Sequence, residues 1–123
     1  MSEVTAELNT ESETELFEQF ARFGVSKATY EFYTDVKDFD DRPDVEVHHQ
    51  ETELHGENIS DDVFDVLGEA FNEFAEKRAS NVGRTVDDDI ACLTYDTAAR
   101  QIVLEGTFER WVRVEETYQP DEE

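Results

Sequence analysis

All three histidines of the chain fall within eight positions, in the run "VEVHHQETELH" at residues 45–55. Imidazoles separated by glutamates offer three chemistries: transition-metal ligation, a pH-dependent charge, or plain solvation on a strand. Spacing decides among them. Successive side chains on a strand point to opposite faces, so His48 is expected to face away from His49. His49 and His55 share a face but lie six residues apart, roughly 20 Å when extended, whereas one ion needs its ligands at ~2 Å. Only His49 with Glu51, two positions apart, could form half a metal site, and a neighbouring strand would have to complete it. The surrounding carboxylates favour the imidazolium form, which makes pH sensing the better of the two active readings. The plainest expectation is a row of exposed histidines with no resident metal.

Two other stretches invite a role. In "FERWVR", Arg110, Trp111 and Arg113 stand together in an otherwise acidic chain. Alternation puts Trp111 and Arg113 on one face with Val103, Glu105 and Glu109, and Tyr33 could lie on that same face. Trp and Arg are enriched at binding hot spots, so Trp111, Arg113, Tyr33 and Val103 are the interface candidates. The competing reading is cross-strand ion pairing, with Trp111 packed beneath long side chains. The runs "VDDDIA" and "DFDDRPD" gather carboxylates but lack the glycine spacing of a calcium loop, so they read as solvated loops or weak cation sites. Cys92 sits in an apolar strand and reads as a buried filler. There is no Gly-rich phosphate loop, no G-x-S-x-G and no Cys–His arrangement in context. No catalytic residue and no cofactor is therefore assigned.

These residues need elements to hold them. Residues 1–9 read as a flexible acidic lead-in and 117–123 as a flexible acidic tail, leaving 10–116 as a single domain. A helix is expected at 12–23: Thr10 or Ser12 can cap it, Ser12 and Glu15 have capping-box spacing, and Leu16, Phe17, Phe20 and Phe23 recur at helical period. Gly24 is placed to end it in the left-handed conformation. "KATYEFYTDVKDF" then changes to period two, with Tyr30, Phe32, Thr34 and Val36 on one face. A turn containing Pro43 leads to a second strand at about 44–54, closed by Gly56. A second helix follows, capped by Asn58 or Ser60, with Phe64, Leu67, Phe71, Phe74 and Ala75 as its apolar stripe and Gly83 as its stop. Lys77 and Arg78 suit the negative end of its dipole. Gly68 suggests a close helix–sheet or helix–helix approach and Gly106 a bulge or bend. "DDDIACLTYD" and "RQIVLEGTFERWVRVEE" are the last two strands, joined through "DTAA". The order α-β-β-α-β-β predicts an α+β fold: a four-stranded, mainly antiparallel sheet with both helices on one face.

Composition sets the solvent. The 123 residues include 33 Asp and Glu against 10 Lys and Arg, a net charge of -23. Such an imbalance usually marks disorder, but 37% of the chain is hydrophobic and periodically arranged. A compact body with this charge repels itself in dilute buffer, and at molar salt the Debye length falls to ~3 Å. Many Asp and Glu with few Lys resembles the cytoplasmic proteins of salt-in halophiles such as haloarchaea. That resemblance implies monovalent cations as solvent rather than as specific ligands. No apolar run is long enough to span a membrane, the acidic N-terminus is not a targeting signal, and a single cysteine fits a reducing cytoplasm. The acidic surface argues against direct nucleic-acid binding.

Three functions remain in view. One is a small non-enzymatic interaction or regulatory protein of a halophile, working as a homodimer through the open sheet face. Another is an acidic nucleic-acid mimic, for which Asp62, Asp65, Glu69, Asn72, Glu73 and Glu76 supply a helical stripe. The last is a ligand binder or enzyme with a pocket between sheet and helices.

Overall fold

In the computed structural model the described residues are 2–39, 42–57, 59–81 and 84–109, with backbone alone described for 2, 36–39 and 42–45. They form an α+β fold: β1 (Ser2–Leu8), α1 (Thr14–Phe23), β2 (Val25–Phe39), β3 (Arg42–Gly56), α2 (Asp61–Ala79), β4 (Ala91–Asp96) and β5 (Gln101–Phe108). The strands make one sheet in the order β1-β5-β4-β2-β3, and every neighbouring pair is antiparallel.

The sheet has five strands rather than four. The expected flexible lead-in is β1, paired with β5 from Ser2↔Phe108 to Leu8↔Ile102. The reason is an alternation hidden among carboxylates: Val4, Ala6 and Leu8 are buried, while Glu3, Thr5 and Glu7 face water. The expected tail at 117–123 lies outside the described residues.

Both helices cover the same face. Phe17 of α1 and Phe71 of α2 each pack on Tyr95 of β4, at ring distances of 5.8 and 4.8 Å, and Phe20 joins the helices through Phe71 at 6.0 Å. Phe32, Leu93, Ile102 and Leu104 complete the fully buried layer. Burial of one such side chain is worth about 1.5–3 kcal/mol, which orients both amphipathic helices.

The helix ends differ in part from expectation. Gly24 does close α1 with φ +82°, where a Cβ would also stand 3.0 Å from the Glu57 carbonyl oxygen. At the other end the Ser12–Glu15 capping box is absent. Glu11–Glu13 form a 3-10 turn, and Ser12 Oγ donates instead to Glu13 Oε1 at 2.8 Å. Ser60 caps α2, accepting from Val63 N–H at 3.2 Å. That helix ends at Ala79, and Asn58 and Gly83 lie outside the described residues.

Arg78 departs most from its expected place. It is buried, donating from Nε and Nη2 to both oxygens of the fully buried Glu13 at 2.9 and 2.7 Å. Nη2 also meets Asn9 O and Ser12 Oγ, and Tyr95 Oη reaches Glu13 Oε2 at 3.4 Å. The pair ties the β1–α1 connection to the end of α2. Gly106 is not a bulge: the β1–β5 register runs through it unbroken, and a Cβ there would lie 2.7 Å from Ala91 Cβ. Gly68 meets only the Phe64 ring at 3.8 Å, so no close approach requires it.

Beyond Phe32↔Ala91, β2 no longer pairs with β4. The β2–β3 ribbon continues alone, held by reciprocal hydrogen bonds between Thr34 and Thr85 at 3.3 and 3.0 Å. Thr85 in turn bridges to Phe108.

Candidate interaction face

The uncovered face of the sheet is built from the alternate residues of all five strands. Register sets its neighbours: Glu31 lies across from both Glu51 and Cys92, Cys92 from Glu105, Thr94 from Val103, and Val103 from Glu7. Its centre is half-buried, with Tyr33, Cys92, Thr94 and Val103 all partly covered by their neighbours. Its periphery is carboxylate.

Tyr33 and Val103 do share this face. They are not adjacent: two strand spacings and four residues of rise separate them by roughly 17 Å. Glu31, Cys92 and Glu105 occupy the ground between. Trp111 and Arg113 lie outside the described residues. Burial pushes the Cys92 thiol above its usual value, and the charges of Glu31 and Glu105 add to this against a lowering contact from Thr94. The thiol is thus a muted nucleophile.

The histidine run obeys a different geometry from simple alternation. Glu31 pairs with Glu51 and Phe32 with His49, so Gln50 is an extra residue on β3. A bulge of this kind reverses the parity of the strand. His49 and Glu51 therefore face opposite sides, and the half-site expected of them does not exist. His49 turns toward the helices, stacks on Tyr30 at 4.8 Å and contacts Thr52 Oγ1 at 2.7 Å. Thr52 donates its one proton to Asn72 Oδ1 at 2.6 Å. The direction of the contact between His49 and Thr52 is set by the imidazole tautomer.

Glu51 stays on the open face. Hydrogen bonding to Glu53, then the charges of Glu53 and Glu31, hold its carboxyl above the usual range. His55 lies beside Glu53 at 3.1 Å. His48 lies opposite Tyr33, stacked on it at 4.6 Å, with Nε2 toward Asp35 and Glu46.

The space between sheet and helices is filled by the aromatic core. At its margin a shallow cleft of about 530 Å³ runs between β3 and α2, lined by His49, Thr52, Phe64 and Asn72 among others. The Asp87–Asp89 run forms an exposed turn, with Asp88 at φ +70° and Asp89 N–H bonded to Val86 O at 2.9 Å. Among the described residues no helix is long and apolar enough to cross a membrane. Set against family models, curated proteins and solved structures, the chain matches none.

Two arrangements escaped sequence reasoning. Arg78 continues the buried spacing of Leu67, Phe71 and Ala75, a signal that its charge obscured. The meeting of Asp35, Glu46 and His48 depends on a cross-strand register that no local pattern contains.

Proposed function

We propose that the protein is a non-enzymatic interaction or regulatory protein of a halophile's cytoplasm, acting as a homodimer through the open sheet face. The observation that supports this is the spread of carboxylates over every side of the molecule. Glu31, Glu51 and Glu105 lie on the open face, Glu15 and Glu18 on α1, Asp62, Asp65 and Glu69 on α2, and Asp87 and Asp88 in a loop. A nucleic-acid mimic would gather them on one surface, whereas salt adaptation spreads them.

Electrostatics gives the reading its mechanism. Two copies meeting through this face bring Glu31, Glu51 and Glu105 toward one another, which dilute buffer forbids. With a Debye length of ~3 Å at molar salt, that repulsion collapses and the half-buried centre around Thr94 and Val103 becomes available for burial. Trp111 and Arg113, following β5, are proposed to extend the same contact.

Sedimentation equilibrium with circular dichroism, from low salt to multi-molar KCl, tests this. A folded dimer at high KCl that dissociates or unfolds as salt is withdrawn is the expected result, with Val103→Glu weakening the dimer. A folded monomer at low salt would overturn the proposal. The exposed α2 stripe of Asp62, Asp65, Glu69, Glu73 and Glu76 would then make the nucleic-acid mimic the leading account.

A further inference from the structure

We propose that Asp35, Glu46 and His48 form a binding site for one divalent transition cation of the Zn²⁺ type, clamping β2 to β3 where the ribbon leaves the sheet. His48 Nε2 lies 3.2 Å from Asp35 Oδ2 and 3.5 Å from Glu46 Oε1. All three ligand atoms lie within 4.8 Å of one another, the one such grouping of three among the described residues. Zinc binds imidazole nitrogen and carboxylate oxygen at about 2.0–2.2 Å, so tetrahedral ligands stand roughly 3.3–3.6 Å apart. The Glu46 edge, at 3.5 Å, already has the separation that coordination needs, and the Asp35 edge, at 3.2 Å, falls just short of it.

A second observation separates this from a chance meeting of surface acids. Although the His48 side chain is 35% exposed, its Nε2 atom is covered by its neighbours; it stands at ion-pair distance from both carboxylates yet makes no aligned hydrogen bond to either. Its ring is held by the Tyr33 stack, 15° from parallel. A nitrogen enclosed between two oxygens without a well-directed hydrogen bond is suited to a cation in the space they share. The donor set also names the ion class. One imidazole with two carboxylates suits zinc or a neighbouring transition metal, while calcium takes six to eight oxygens. The residues come from both strands, Asp35 from β2 and the other two from β3, so binding cross-links the ribbon. A fourth position is left for water or for a donor from a partner.

The site does not depend on the dimer reading. Its test is isothermal titration of the full chain with ZnCl2 in about 1 M KCl, where diffuse attraction to the acidic surface is screened. One Zn²⁺ per chain is expected, together with a rise in melting temperature. His48→Gln should weaken binding at least ~10-fold, and Asp35→Asn and Glu46→Gln should weaken it as well. These two carry the test if the histidine variant fails to fold by circular dichroism. His55→Gln removes an imidazole that also lies beside a glutamate but, among the described residues, has no third ligand, and it should leave binding unchanged. No saturable binding, equal loss in His55→Gln, or calcium binding as tight as zinc and indifferent to His48→Gln would each overturn the proposal.

Discussion

Glu13 and Glu46 are both glutamates beside a nitrogen cation or potential cation, on opposite faces of the same sheet. Glu13 is fully buried, and Arg78 with Tyr95 meets both its oxygens. Glu46 is half exposed, with His48 at 3.5 Å. Burial makes the difference. In the helix layer an ionised carboxylate must have all its partners fixed, because a charge left alone there is costly. On the open face the half-exposed carboxylate is screened by solvent, so the same chemistry contributes little to stability.

The largest test of this contrast is Arg78→Leu. It strands Glu13 in the core and should cost about 3–5 kcal/mol in denaturant titrations. The double variant Glu13→Leu/Arg78→Leu should recover much of that loss, since the pair is replaced rather than broken. If the single variant is nearly neutral, the contrast between the faces fails.

Next is the alkaline limit, which the helix side should also set. Burial, and then the charge of Glu76, push Tyr30 up to about 12, and burial and then Glu13 hold Tyr95 well above its usual value. The unfolded chain gives up these protons near pH 10, while the folded chain keeps them. This contribution is therefore complete below about pH 10 and is lost as pH rises through about 12. Melting curves of Tyr30→Phe should fall less steeply over that window than those of the parent.

Smaller again is Gly68→Ala. No neighbouring backbone blocks a Cβ there, so the helix should gain about 1 kcal/mol. A loss would mean that the helix layer is tighter than its contacts indicate. The smallest effect belongs to the open face: His48→Gln without metal should change stability by less than about 1 kcal/mol. A large loss there would erase the contrast and make His48 a structural residue like Arg78.

Much of the fold was legible because it rests on local periodicity. Leu16, Phe17 and Phe20, Gly24 as a stop, and the Tyr30–Phe32–Thr34 face all appear where the pattern put them, whereas Phe23 and Phe64, expected on the apolar stripes, are exposed. β1 was missed although Val4, Ala6 and Leu8 alternate cleanly, because the acidic residues between them resemble a disordered leader. The candidate site was far less legible. Parity along "HHQE" pointed to His49 with Glu51, and a single extra residue, Gln50, sent them to opposite faces.

What the sequence determined by itself is the α+β class, the two amphipathic helices, the alternating strands and the extreme acidity. Each is a property of neighbours along the chain, set by side-chain period and charge. What only the tertiary structure decided is who stands opposite whom: β1 beside β5, Arg78 on Glu13, and His48 between Asp35 and Glu46. Those meetings depend on strand register and on one bulge. A one-residue change in register turns every side chain beyond it to the other face.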